Sequence, residues 1–286
     1  MRSRAATVTD ALLAPPAGEV SGAELMALRD ELGRDLAALA SDLPAHESLR
    51  VDAFKVLAAR RHPERCTEVD DPFAPSPGRC RRAVGAAAVA RCVRGFSPGP
   101  AAAVAEVLAA GLDDVTSGPA TAGSAPWWAP WYGGLAPGAR AVVGAEAVTW
   151  ATALLTALEW RRLPRQAVVG GRADWWQCPG SSALVLQGRA DVRLHAARRP
   201  AYLVLGSGRC RDDWRVELGF PALVAALGRA APSVPCRVVG VWPQSGQVRV
   251  LPVDITTLRA TGAAVASAVG TWVDGRLEAQ PVLAGR

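Results

Sequence analysis

Two aspartates close identical tetrapeptides, Gly171-Arg172-Ala173-Asp174 and Gly188-Arg189-Ala190-Asp191. The second copy follows the apolar run Leu184–Gln187 and leads into the alternating Val192 and Leu194. Asp191 is therefore the acidic residue best placed to report what the chain does. The first copy runs into Trp175-Trp176 and a Cys178-Pro179-Gly180 turn, which places it at a strand end or in a loop. Glu146 falls one turn before Trp150 beside an apolar stripe, where a carboxylate either reaches solvent or lines a site. Arg79 and Arg82, then Arg91 and Arg94, are three residues apart and neighbours on a helix surface. Such pairs can grip a phosphate backbone or simply form a solvated face. Trp127, Trp128 and Trp131, and the pair Trp175-Trp176, can stack on unpaired bases or anchor the core.

The elements that position these residues follow from hydrophobic spacing. Residues 1–20 read as a flexible tail ending at Pro15-Pro16. Ser21 with Glu24 makes a capping box before an amphipathic helix carrying Leu25, Leu28, Leu32 and Leu36. The segment 49–59 fits either a helix or a strand, and 67–78 reads as an irregular connector. Helices are expected over 79–94, 101–111 and 137–161, the last expected to be the longest. Strands follow at 166–170, 184–187, 190–194 and 201–205. A helix then begins near Glu217, with Pro221 expected in its first turn, where amide groups lack helical partners anyway. The segments 236–242 and 247–251 pair as a hairpin, and a final helix runs from about 256 to 277.

Composition narrows the classes without choosing one. Half of the 286 residues are apolar and 20% are charged, as in ordinary globular chains. No apolar run reaches the length a membrane helix needs, so no membrane association is expected. The N-terminus opens with arginines but Asp10 breaks its apolar part. No secretory signal reads from it, and a cytoplasmic location is expected. The six cysteines lack close-spaced pairs, which argues against a zinc or iron–sulfur site and favours buried free thiols. The net charge of +6 is carried by arginine, since Lys55 is the single lysine. That balance suits phosphate backbones, and suits equally a solvated surface.

The order of elements, with Gly188-Arg189-Ala190-Asp191 on an early strand, resembles the RecB-like branch of the PD-(D/E)XK nuclease superfamily, most closely its actinobacterial members. The resemblance covers the chain from Pro137 to the end. It implies an α/β fold with a restriction-endonuclease-like core, a central mixed sheet flanked by helices, over 127–286. A mostly helical N-terminal extension over 21–126 would precede it. In such enzymes this first motif supplies a metal-binding aspartate, here Asp191. The next strand ends in Asp-x-Lys-Thr-Gly, and the following helix opens with a polar residue and carries an aromatic. Two carboxylates hold Mg²⁺ or Mn²⁺ against the phosphate, and the lysine assists the attacking water.

The departures fall on the decisive residues. Aligned with that strand end, Leu203–Gly208 puts Val204 at the carboxylate position and Gly206 at the lysine position, and only Ser207-Gly208 keeps the turn. Glu217 stands at the polar position of the helix and Phe220 at its aromatic. The implied protein is a nuclease fold without catalysis and without a cofactor, acting in nucleic-acid binding or as a scaffold. Asp191, Glu146 and Glu217 are its vestigial acidic residues, and Arg79, Arg82, Arg189, Arg209 and Arg211 its candidate DNA contacts. Two alternatives stay open: an active Mg²⁺- or Mn²⁺-dependent DNase built on Asp191 and Glu146, and a protein-interaction module that binds no DNA. Arginine cannot replace the lysine as a base, because guanidinium stays protonated near neutral pH.

Overall fold

In the computed structural model, the described residues are 3–16, 20–43, 48–66, 75–116, 126–171, 173–181, 183–195 and 199–279. The chain forms two compact units that interleave along the sequence: residues 1–9 with 73–170, and residues 10–72 with 171–286. Most of the 67–78 connector, residues 117–125 and Arg172 of the first tetrapeptide lie outside the described residues.

The elements run α1 (Arg4–Leu13), α2 (Gly22–Ala40), β1 (Leu49–Val51), α3 (Ala53–Arg61), α4 (Pro77–Val93), α5 (Pro100–Thr116), α6 (Ala129–Gly133) and α7 (Pro137–Ala157). They continue with β2 (Val168–Val169), β3 (Asp174–Gln177), β4 (Leu184–Gly188), β5 (Val192–Leu194), β6 (Ala201–Leu205), α8 (Trp214–Gly228), β7 (Arg237–Trp242), β8 (Gln247–Pro252) and α9 (Ile255–Ala279). Several expectations need correction. The supposed tail contains α1, whose Val8 and Leu12 are buried. The ambiguous 49–59 segment is both things in turn, a three-residue strand and then a helix capped by Asp52. The longest helix is α9, not the one from Pro137. Of the two readings of the first tetrapeptide, the strand end holds, since its Asp174 opens β3.

The first unit is helical. Helices α4, α5 and α7 pack on one another, with α6 against α5. Glycines allow the close crossings: a Cβ on Gly85 would stand 2.6 Å from the Trp150 ring, and one on Gly111 2.4 Å from Trp128. Trp128 meets Tyr132 edge-on, so this part of the tryptophan cluster serves packing.

The second unit holds the sheets. Strands β1, β4 and β3 pair in that order, parallel and then antiparallel. Strands β5 to β8 form a mixed sheet, antiparallel, parallel and antiparallel in turn. Helix α8 packs on β3, β4, β7 and β8, and also against α3 and α9. It is covered on all sides, which its uniformly apolar stretch from Leu218 to Leu227 demands. This helix starts at Trp214, three residues before the expected Glu217, so Pro221 lies in its interior. The proline withholds one ladder amide. It also lies against β4, where a Cβ on Gly188 would meet Val224 Cβ at 2.8 Å and Pro221 Cα at 3.1 Å. The chain is thus α/β, with mixed sheets flanked by helices.

A buried charge cluster ties these elements together. Asp174, at the start of β3, is 7% exposed and accepts a hydrogen bond from Arg229 Nη2, just beyond α8. Arg193 of β5 brings Nη2 to 3.1 Å from the other carboxylate oxygen as an ion pair, although its N–H groups are not aligned for a hydrogen bond. The Tyr202 hydroxyl of β6 donates to the same oxygen at 3.4 Å. Burial, and then the Asp174 charge, push the Tyr202 phenol above its usual pKa, which keeps it a donor. Arg29 of α2 donates to the carbonyls of Ala226 and Arg229, capping the helix end that carries Arg229.

Removing one member of a buried ion cluster strands the others in low dielectric. Asp174→Ala is expected to lower unfolding free energy by about 3–5 kcal/mol, because it leaves Arg193 uncompensated. Arg229→Ala, at a third-exposed side chain, should lose less. Urea titrations of both variants check that order, and equal losses would argue against Asp174 as the centre. The thiols give a second check. Cys66, Cys80, Cys178 and Cys236 are buried, whereas Cys92 and Cys210, expected to be buried, are half-buried. Burial pushes the Cys80 thiol up to about 11. Native protein at mildly alkaline pH should therefore alkylate at Cys92 and Cys210 first, with Cys80 reacting only on unfolding, as peptide mass mapping would show.

Candidate functional site

Asp191 lies in the short break between β4 and β5 and is 3% exposed. Its amide donates to the Leu203 carbonyl at 2.8 Å. Its carboxylate accepts the Leu205 amide at 2.7 Å. The carboxylate thus continues the β5–β6 ladder where the backbone turns away, satisfying an amide that burial would otherwise penalise. The same contacts set Asp191 alongside Leu203–Leu205, the strand end at which the resemblance calls for a second carboxylate.

That second position is apolar. Val204 is 7% exposed and belongs to the hydrophobic core of the unit. Gly206, which the resemblance aligns with a lysine, has no room for a side chain. A Cβ on Gly206 would stand 2.0 Å from Trp242 Nε1 and 2.3 Å from its Cδ1, well inside any real contact. Trp242 ends β7 at 1% exposure, and the Gly206 amide donates to Val241 at 2.9 Å, which holds the two strands at this spacing. No side chain fits at Gly206 while Trp242 keeps its place. Gly208, two residues on, adopts φ +72°, so the turn after β6 needs a glycine there.

The remaining acidic candidates separate. Glu217 is half-buried in the first turn of α8, in the same unit as Asp191. Glu146 belongs to the helical unit and pairs with Arg81 at 3.3 Å. Among the described residues, no group of three or more His, Cys, Asp or Glu side chains is arranged to hold a metal ion. The arginine candidates also divide. Arg79 stacks on the Trp127 ring, 5.9 Å from its centroid, and Arg91 pairs with Glu106 at 2.7 Å. Hydrogen bonds from Arg91 and Ser97 hold the Glu106 carboxyl below its usual pKa. Arg79 and Arg82 lie on α4 and are half-buried, as is Arg189 after β4, whereas Arg209 and Arg211 are exposed on the turn after β6.

Spacing alone did not reveal the Asp174 cluster, the Trp242 indole over Gly206, or Arg215 and Arg249 near the exposed turn. The repeated tetrapeptide was a usable signal for Asp174, since Asp174-Trp175-Trp176-Gln177 alternates buried and exposed as a half-covered strand must. Comparisons of the chain with protein-family models, with curated proteins and with solved structures returned no match. No helix among the described residues is long and apolar enough to cross a membrane.

Two substitutions test this geometry. Gly206→Lys, or even Gly206→Ala, should destabilise the fold by about 1–3 kcal/mol or more through overpacking against Trp242. Trp242→Ala should relieve much of that added cost in a double-mutant cycle. Additive losses would mean that the two residues do not compete for one space. Asp191→Ala should cost about 1–3 kcal/mol by removing the buried carboxylate that accepts the Leu205 amide. Calorimetric melting of both sets reads the outcome.

Proposed function

We propose that residues 171–286, with the helices packed on them, form a RecB-like nuclease fold that has lost its catalytic centre, and that the protein acts by binding nucleic acid. The observation that carries this reading is the Trp242 indole in the space a side chain at Gly206 would need. A nuclease of this type requires a cation there to orient the attacking water, and a fully buried aromatic ring cannot substitute. Further support comes from the antiparallel pair β5–β6 followed by helix α8 and by β7 parallel to β6, and from Asp191 lying beside Val204.

The DNase alternative built on Asp191 and Glu146 draws little support. Asp191 is engaged by the Leu205 amide and Glu146 by Arg81. Catalytic groups that act as a unit lose nearly all their effect when one is missing. Linear duplex DNA incubated with purified protein and Mg²⁺ or Mn²⁺ should stay intact at the level of an Asp191→Ala preparation purified in parallel. Metal-dependent cleavage by the unmodified chain that disappears in Asp191→Ala would overturn the proposal.

A further inference from the structure

Four exposed arginines of this unit lie on neighbouring segments at one end of the β5–β8 sheet. Arg209 and Arg211 are both exposed on the turn that follows β6, on either side of Cys210. The Cys210 amide donates to Gln247 Oε1 at 3.1 Å, which pins this turn to the start of β8. Arg249, two residues along β8, therefore projects from the same strand face as Gln247. It stands close enough to the Cys210 thiol to lower its pKa, against the larger upward effect of burial. Arg215, exposed in the first turn of α8, completes the group.

The nearby acidic residues do not neutralise it. Asp213 is held by Arg61 of α3, through bonds of 2.7 and 2.6 Å to its two oxygens. Asp212 and Glu217 stand near the same Cys210, two carboxylates beside four guanidinium groups. Two arginines of α4 present a different balance, since Arg81 and Arg91 are paired with glutamates. Arginine forks suit phosphate oxygens, and four of them supplied by three segments match a polyanion better than one small anion. A lipid surface is a poorer match, because residues 206–217 include no exposed large apolar side chain among those described.

We infer that the sugar–phosphate backbone of a nucleic acid docks on Arg209, Arg211, Arg215 and Arg249, outside the space that Trp242 fills rather than along helix α4. This surface rests on the nucleic-acid reading above and locates it. Backbone contacts of this kind read no sequence, so binding is expected to be sequence-tolerant and strongly salt-dependent. Four phosphate contacts predict a slope of log K against log salt of about −3 to −4 on duplex DNA.

Fluorescence anisotropy with a short mixed-sequence DNA duplex, titrated over roughly 50 to 200 mM salt, measures that slope. The variant R209E/R211E/R249E should weaken binding at least tenfold at the low end and flatten the slope by about one per residue. The milder R209Q/R211Q/R249Q variant should move both readings in the same direction, and an unchanged melting temperature shows that either variant folds. R34E/R94E/R165E, which changes net charge equally at exposed sites on other segments, should bind like the unmodified protein. Binding with an unchanged slope in the 209/211/249 variants overturns the assigned surface while leaving the nucleic-acid reading intact. Weakening by R34E/R94E/R165E to the same extent also overturns it. Absence of any binding at the lowest salt overturns both, and metal-dependent cleavage overturns only the loss of catalysis.

Discussion

Asp174 is the point on which the second unit turns. One buried carboxylate faces two guanidinium groups and a phenol, and those groups come from β5, β6 and the end of α8. Because β3 pairs with β4 and not with β5 or β6, this cluster joins the two sheets through side chains where no backbone ladder does. A buried charge is tolerated only where opposite charge and hydrogen bonds surround it, so the strands and the helix end must meet in one arrangement. Helix α8 is fixed in the same way: its apolar length fills the layer between sheets and helices, and Arg29 and Arg229 lock its C-terminus.

The twin tetrapeptides therefore both serve structure, by different means. Asp174 is an ionic centre between elements. Asp191 is a local backbone mimic, accepting an amide at the break between two strands. A carboxylate committed to a buried amide on one oxygen is poorly disposed to catalysis unless a partner carboxylate stands beside it. Val204 provides only a methyl surface there. Trp242 fills the space beside Gly206, so no side chain fits there while the indole keeps its place.

Charge is distributed by the same economy of pairing. Arginines on α4 find glutamates on neighbouring helices, as expected where amphipathic helices pack with their polar edges in reach. Those on the turn after β6 and on β8 have fewer carboxylates near them, since Asp213 is drawn away by Arg61. A basic surface thus arises at the sheet end, next to the C-terminus of β6.

Local pattern determined a good deal of this protein. The alternation in 184–194, the five-residue apolar run 201–205, the hairpin around Pro243–Gly246 and the capped helix after Ser21 are nearest-neighbour properties that residue types impose directly. Tertiary structure alone decided the rest. The interleaving of two units, the start of α8 ahead of Pro221, the strand at Asp174 and the packing of Trp242 over Gly206 depend on residues far apart in the chain. Burial and ion pairing act through space, and a glycine's role in a sequence cannot disclose which distant side chain will occupy the volume it leaves.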